Sequence, residues 1–195
     1  CHNDRLFLAY AGGSLQASTL GDPTDFSTDP SELGMGKEIT GLLQAVGNAL
    51  VIFCEGGTRV LQGTADRGTW QLDYFSERSG AYEFTPFRMF GKMMYMNHQG
   101  VSTLDAVQDF GDFRASTISQ KIYKTLQEYK GLTTTATIHR ELNQYRLWFD
   151  NGIGIVFSFR GTKFRGVTLL EFPDPVIVST TGRDSDDNTV VYFAS

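Results

Sequence analysis

The chain has 195 residues, of which 20% are charged and 13% aromatic, and its net charge is −5. This composition is typical of a globular protein that can bury roughly 70% of its unfolded surface, which excludes a disordered chain. The acidic balance argues against sequence-reading nucleic-acid binding, which needs a basic face. The sequence contains no run of about 18 apolar residues, so it predicts no membrane span.

The two cysteines, Cys1 and Cys54, are too few for a disulfide scaffold or a zinc site. We expect Cys54, at the end of an apolar run, to be a buried free thiol. No signal peptide is recognised. The sequence begins and ends on the arm of a hairpin, so we expect it to be a piece of a longer chain.

The first piece, residues 1–30, contains two short apolar runs on either side of Gly12 and Gly13. Glycine tolerates the positive φ of tight turns, so this pattern predicts a β-hairpin. Residues 20–30 are rich in Pro, Asp and Ser and predict a loop.

The second piece, residues 38–76, has the clearest pattern. An apolar run at residues 50–54 leads through Gly56 and Gly57 to an alternating run, which predicts a hairpin whose first arm is covered on both faces. Residues 39–43 and 69–75 add a strand before and after it. We therefore predict one four-stranded antiparallel sheet.

The third piece, residues 82–131, is expected to open with a strand at residues 82–84, and Pro86 is expected at a strand start or a bulge. The piece then repeats the hairpin around Gly100 and changes period. Apolar residues at positions 118, 122, 126 and 129 form a helical stripe, which predicts a helix near residues 116–130 capped by Ser116 or Ser119 and by Gly131. It either replaces or covers an outer strand, or projects as a docking element; one apolar face favours packing against the sheet. Met93, Met94 and Met96 are interpreted as core filler.

The last pieces are residues 135–172, with a hairpin around Gly152, and residues 175–195. The turn glycines at 12, 56, 100 and 152 are spaced by 44, 44 and 52 residues, and the run at 190–194 lies 44 residues after that at 146–150. A period of about 40–50 residues built of short strands is typical of a β-propeller. We predict an all-β single domain, a propeller or partial propeller with four-stranded blades and one helical insertion. A sandwich with evenly spaced hairpins is the alternative.

Three groups of residues contain side chains that occur in functional sites of other proteins. Residues 64–70, Thr-Ala-Asp-Arg-Gly-Thr-Trp, resemble the Asp-box of sialidase propellers but lack one residue, and we interpret them as a structural turn before a buried Trp70. The acidic run 184–188 offers oxygens for Ca²⁺ but lacks the glycine and distal glutamate of an EF-hand, so we interpret it as a solvated loop. His2, His98 and His139 lack partners at metal-ligand spacing and are assigned structural roles.

No nucleophile–base pair, phosphate loop or dinucleotide fingerprint is recognised. We therefore predict no catalytic, cofactor or metal residues, no cofactor and no enzymatic activity. Tyr82, Tyr95 and Tyr145 do not indicate a ligand site, because aromatic residues in strands are usually core.

Three sets of short sequence segments resemble segments of the propeller proteins of tailed-phage virions, namely tail-nozzle and packaged-DNA-stabilisation proteins. They are residues 4–9 with 20–26, residues 39–42 with 50–53 and 61–63, and residues 100–101 with 119–122. The resemblance implies a structural virion protein at the phage tail or head–tail junction, joined in a ring with copies of itself and with other tail or portal proteins. Basic side chains create affinity for DNA. Because this chain is acidic, its contact with phage DNA would be passive. The alternative is a ligand- or glycan-binding propeller, and a propeller glycosidase is less favoured. Both stay open because propellers host many functions.

Overall fold

The structure is a computed structural model that describes residues 1–27, 31–45, 48–106 and 113–195. Residues 28–30 of the first expected loop and residues 107–112 of the third expected piece lie outside this part of the chain. The strands are β1 Phe7–Tyr10, β2 Ser14–Ala17, β3 Ser31–Gly34, β4 Ile39–Gln44, β5 Ala49–Cys54, β6 Gly57–Gln62, β7 Gln71–Ser76, β8 Phe87–Met89, β9 Lys92–Asn97, β10 Gly100–Ala106, β11 Phe113–Thr117, β12 Thr133–His139, β13 Gln144–Phe149, β14 Ile153–Arg160, β15 Lys163–Glu171, β16 Val178–Arg183 and β17 Thr189–Ala194. The helix α1 spans Tyr123–Tyr129.

The strands form five sheets in which each strand lies beside its neighbour in the sequence. The orders are β1-β2-β3, β4-β5-β6-β7, β8-β9-β10-β11, β12-β13-β14-β15 and β16-β17. The all-β prediction is confirmed, and among the described residues the sheets close into neither a barrel nor a propeller.

The hairpin of β5 and β6 shows why the sequence folds in this way. All six residues of β5 are buried, so both of its faces are covered, as its continuous apolar run predicts. Gly56 turns the chain at a φ of 73°, which a residue with a Cβ rarely adopts. The turn pairs Cys54 with Gly57 and fixes the register of both strands.

The chain divides into two compact units. The first contains Cys1–Ala81 together with Ala106 and Phe113, and the second contains Tyr82–Asp105 and Arg114–Ser195. The single-domain prediction is not tested by this division and stays a prediction.

The first unit has a core between its two sheets. Leu15 and Ala17 on one face of β2 pack against Ile52 and Cys54 on one face of β5. Phe7, Met35 and Leu61 join the same cluster.

The second unit stacks three sheets. Met94 and Met96 of β9 share a cluster with Leu147 and Phe149 of β13, so the first and second sheets of this stack, β8–β11 and β12–β15, meet through an apolar layer. Trp148, on the other face of β13, lies 5.9 Å from Phe193 of β17 between ring centroids. Each fully buried large side chain in such layers contributes roughly 1.5–3 kcal/mol.

The β16–β17 hairpin is also tied to the β12 edge through hydroxyl groups. Thr181 donates a hydrogen bond of 2.6 Å to the carbonyl oxygen of Ile138, and Thr134 donates one of 2.6 Å to that of Val176. These contacts place β16 beside β12 without a backbone ladder, so the hairpin remains a separate sheet.

The helical prediction near residues 116–130 is correct in type but wrong in extent. Strand β11 occupies Phe113–Thr117, so the helix does not replace the outer strand. Ser119 makes no capping bond; its Oγ accepts a hydrogen bond of 2.9 Å from the amide of Val101. Gly131 lies in a short 3-10 segment after α1 and lacks a positive φ. Leu126 is fully buried, so the helix packs against the core and does not project.

Two other local predictions differ from the structure. Strand β3 at Ser31–Gly34 was not predicted. Residues 82–84 were expected to open a strand, but they form a turn in which Phe84 has a φ of 56°. Pro86, predicted at a strand start or a bulge, immediately precedes the first residue of β8. No helix among the described residues has the length and apolar character needed to cross a membrane.

Candidate functional site

A pocket of about 300 Å³ opens in the first unit, at the turn end of the β5–β6 hairpin. We call it the Arg59 pocket. Three elements contribute side chains to it: the loop after β3, the β5–β6 hairpin and the end of β7. Its lining includes Lys37, Cys54, Arg59, Tyr74 and Glu77.

Arg59 is the residue that connects these elements. Its guanidinium donates a hydrogen bond to the carbonyl oxygen of Met35 and lies 4.2 Å from the centroid of the Tyr74 ring. A cation over an aromatic face is attracted by the ring quadrupole. Tyr74 is 62% exposed, so this pair forms a wall of the pocket that solvent reaches.

Cys54 gives the pocket little nucleophilic character. Its thiol is 2% exposed, and burial raises its pKa, although the nearby charges of Arg59 and Lys37 act in the opposite direction. The thiolate is the reactive form of cysteine, so Cys54 stays a protonated, structural thiol at neutral pH. The expectation of a buried free thiol is confirmed.

The side chains of the Arg59 pocket are therefore suited to binding a ligand through their charges and through an aromatic ring. Lys37 and Arg59 are cationic, Glu77 is anionic, and Tyr74 contributes an exposed aromatic ring. The described lining residues include no histidine that could act as a base beside the thiol.

The resemblance to an Asp-box takes the form of a folded turn between β6 and β7. Asp66 caps a 3-10 turn and accepts a hydrogen bond of 2.9 Å from the amide of Gly68. Thr69 accepts from the amide of Thr64 at 2.9 Å, and the indole of Trp70 donates to the carbonyl oxygen of Thr64 at 3.0 Å. The structural-turn interpretation is confirmed.

Trp70 anchors this turn to the amino-terminal hairpin. Its ring centroid lies 5.6 Å from that of Phe7, and the guanidinium of Arg5 lies 5.6 Å from the indole. Trp70 is half-buried, whereas the sequence predicted a buried Trp70.

The acidic run 184–188 closes the β16–β17 hairpin with its own carboxylate. One oxygen of Asp184 accepts hydrogen bonds from the amides of Asp186 and Asn188, at 2.9 and 2.8 Å. Those bonds lower the pKa of Asp184. Asp187 pairs with Arg183 at 2.6 Å, so both carboxylates already have partners within the loop.

The three histidines have different local surroundings. His2 is buried beside Phe7, and burial lowers its pKa. His98 is an exposed turn residue, and the Nδ1 atom of His139 accepts a bond of 3.3 Å from the amide of Leu142. Within the described ranges, no three His, Cys, Asp or Glu side chains are grouped closely enough to hold a metal ion.

The methionines and tyrosines singled out in the sequence lie in the core. Met93, Met94 and Met96 are buried, as predicted. Tyr95 and Tyr145 are fully buried, and Tyr82 packs against the second-unit core.

Sequence reasoning missed the Arg59 pocket because its residues come from distant positions. Lys37, Arg59 and Tyr74 carry no shared motif; the register that pairs Arg59 with Tyr74 brings them together. Compared with models of protein families and with curated protein sequences, the chain gives no match.

Proposed function

We propose that this chain is a non-catalytic structural protein of a tailed-phage virion, located at the tail or head–tail junction. In this proposal its sheets are blades of a propeller or partial propeller, and copies of the chain join in a ring with other tail or portal proteins. The support is twofold: the sequence resemblance described above and the serial stacking of sheets.

The serial stacking carries the proposal. In each unit, one sheet packs against the next through apolar side chains, and each complete sheet has the strand order of the sequence. This arrangement supports the proposal because in repeat proteins each repeat likewise contacts its neighbours. The interiors contain aromatic and aliphatic side chains, which suits a scaffold.

The net charge of −5 fits a wall past which DNA slides. Phosphate contacts by Lys and Arg create salt-dependent affinity. A protein with few unpaired basic groups facing DNA would let the duplex pass without holding it.

Virions produced from the genome that encodes this sequence provide the test. Mass spectrometry of purified particles should detect peptides of the chain, and antibody labelling in electron micrographs should mark the head–tail junction. Labelling of the major capsid protein in the same particles is the positive control. Absence of the chain from particles whose capsid protein is detected would overturn the proposal.

The Arg59 pocket favours a second candidate, binding of a small polar ligand such as a glycan. Exposed aromatic rings beside polar groups are common in such sites. On a glycan array, binding that is lost in Tyr74→Ala and kept in Tyr123→Ala, an exposed tyrosine on α1, would support this candidate. No binding by the wild-type chain would reject it.

A further inference from the structure

The Arg59 pocket lies between the two sheets of the first unit. Arg59 is on the same face of β6 as Leu61, two residues further along the strand, and Leu61 shares a cluster with Leu15 of the first sheet. Met35, in the loop after β3, joins that cluster and accepts the hydrogen bond from Arg59 through its carbonyl oxygen. The guanidinium therefore lies at the edge of this core, where Arg59 is half-buried.

Most of the hydrogen-bonding capacity of Arg59 is unused. A guanidinium carries five N–H donors, and within the described part of the chain its hydrogen-bond acceptor is the carbonyl oxygen of Met35. None of the described carboxylates forms an ion pair with it. Taking part of a cation out of water without a counter-charge costs free energy, so a bound anion would stabilise Arg59 in this position.

Lys37 brings a second positive charge to the same place. A Cβ added to Gly56 would lie 3.7 Å from the Nζ atom of Lys37, so the ammonium group reaches over the β5–β6 turn. Burial raises the pKa of the Cys54 thiol, and the charges of Arg59 and Lys37 both act against that rise. Because Cys54 lines the pocket, the two cations lie near the same part of its wall.

Glu77 is the one carboxylate among the described lining residues. It forms no ion pair with Lys37 or Arg59 within the described ranges. The lining therefore keeps an excess of positive charge, although the chain as a whole has a net charge of −5. A cleft lined by an excess of one sign of charge concentrates ions of the opposite sign.

We propose that the Arg59 pocket binds an oxyanion, the carboxylate, sulfate or phosphate group of a small ligand, between the Lys37 ammonium group and the remaining N–H groups of Arg59. A guanidinium donates two parallel hydrogen bonds to such a group, and an ammonium group adds a point charge. The ring of Tyr74, whose centroid lies 4.2 Å from the guanidinium, supports Arg59 in this role. This inference rests on the ligand-binding candidate of the proposed function and not on the virion role, and it makes the expected glycan an acidic sugar.

Titration calorimetry of the whole chain tests the proposal with inorganic sulfate, inorganic phosphate, glucuronate and glucose 6-phosphate, and with glucose as the neutral probe. All titrations use one ionic strength and a buffer without polyvalent anions. We expect binding of anions and no binding of glucose. Lys37→Gln and Arg59→Gln should each raise the Kd by roughly tenfold or more, because each removes charge-assisted hydrogen bonds.

Three control measurements separate loss of the site from loss of the fold. Arg59→Lys keeps the charge without the planar fork, so its Kd should lie between those of the wild type and Arg59→Gln. Lys163→Gln removes an exposed cation of β15 in the second unit and should bind like the wild type. Thermal melting shows which variants are folded, and Lys37→Gln, at an exposed loop position, decides if Arg59→Gln is not.

Glu77→Gln tests the sign of the charge in the pocket. Removal of the carboxylate from the described lining should tighten the binding of phosphate and sulfate. Weaker binding of both anions by this variant would overturn the proposal.

The other outcomes also decide. Equal binding of glucose and the anions would overturn the oxyanion site and leave the glycan candidate standing. Phosphate or sulfate binding without binding on the glycan array would retain the oxyanion site and reject the glycan candidate. Absence of anion binding, or anion binding that is unchanged in Lys37→Gln and Arg59→Gln, would overturn the proposal. Among the supporting outcomes, binding of glucuronate alone identifies a carboxylate as the bound group, and binding of phosphate with glucose 6-phosphate identifies a phosphate group.

Discussion

Gly154 shows at a single residue how closely the sheets pack. A Cβ added there would lie 2.5 Å from the Cζ3 atom of Trp148 and 2.7 Å from Cε3. The indole is 1% exposed and packs against both Phe172 and Phe193. It has no room to move away, so glycine is the residue this position accepts.

We therefore expect Gly154→Ala to lower the free energy of unfolding by about 1–3 kcal/mol, the usual cost of overpacking. Gly166→Ala is the matched control, because a Cβ at Gly166 of β15 meets no atom within 4 Å. Chemical denaturation of both variants measures the difference. Equal stability of the two would contradict the packing described at Trp148.

The phenol of Tyr145 is a titratable group in the core of the second unit. It is fully buried, and its hydroxyl donates a hydrogen bond of 2.8 Å to the carbonyl oxygen of Thr85. Burial raises the pKa of this phenol well above its usual value, although the bond to Thr85 acts in the opposite direction. The unfolded chain therefore loses this proton first as the pH rises.

The stability contributed by the protonated Tyr145 should be complete below the unfolded pKa of about 10 and be lost as the pH rises above it. We expect Tyr145→Phe to cost about 1–3 kcal/mol at neutral pH, since it leaves the buried carbonyl of Thr85 without its donor. It should also flatten the alkaline loss of stability. Denaturant titrations between pH 7 and pH 11, with Tyr123→Phe as the exposed control, check both effects; an unchanged alkaline slope would contradict the assignment.

At the scale of elements, the 64–70 turn depends on one carboxylate. Asp66 accepts the amide of Gly68 in a cap of the 3-10 turn. We expect Asp66→Ala to lower the free energy of unfolding by about 0.5–2 kcal/mol, as for other lost caps. Asp66→Asn keeps an accepting oxygen and should stay close to the wild type. Thermal melting of the three proteins tests this, and equal losses for Ala and Asn would refute the capping role.

The sequence predicted those elements whose period and turn chemistry agree. Residues 50–62 combine a continuous apolar arm with Gly56 at the turn, and both strands formed within a residue of the expected bounds. Strand β3 was missed because Ser31–Gly34 contains neither alternation nor β-branched residues. Strand β11 was missed because the helical stripe at positions 118, 122, 126 and 129 led to a helix being predicted from residue 116.

The remaining errors arise from tertiary contacts that a local pattern does not contain. The turn at residues 82–84 is held by Thr85, whose hydroxyl donates to the carbonyl oxygen of Tyr82 at 2.7 Å. The aromatic residues there favoured a strand. The Arg59 pocket likewise depends on register between distant strands. The sequence therefore predicted the features that depend on local patterns and not those that depend on tertiary contacts.

At the scale of the molecule, each unit has its own core cluster. Leu15 is fully buried in the first and Leu147 in the second. We expect each leucine-to-alanine change to cost about 2–5 kcal/mol, with amide hydrogen exchange accelerating chiefly in the unit that carries the change. Exchange mapped by mass spectrometry tests this, and Glu128→Ala, an exposed change on α1, is the control. Equal acceleration across both units would show one cooperative core.

The two thiols differ in one respect that makes this chain convenient to follow in solution. Cys1 is exposed while Cys54 is buried between sheets. A maleimide dye should therefore attach to residue 1 within seconds and to residue 54 only when the first unit opens. The rate of the second attachment therefore reports how often the first unit opens. Mass spectrometry can follow this rate without any engineered probe.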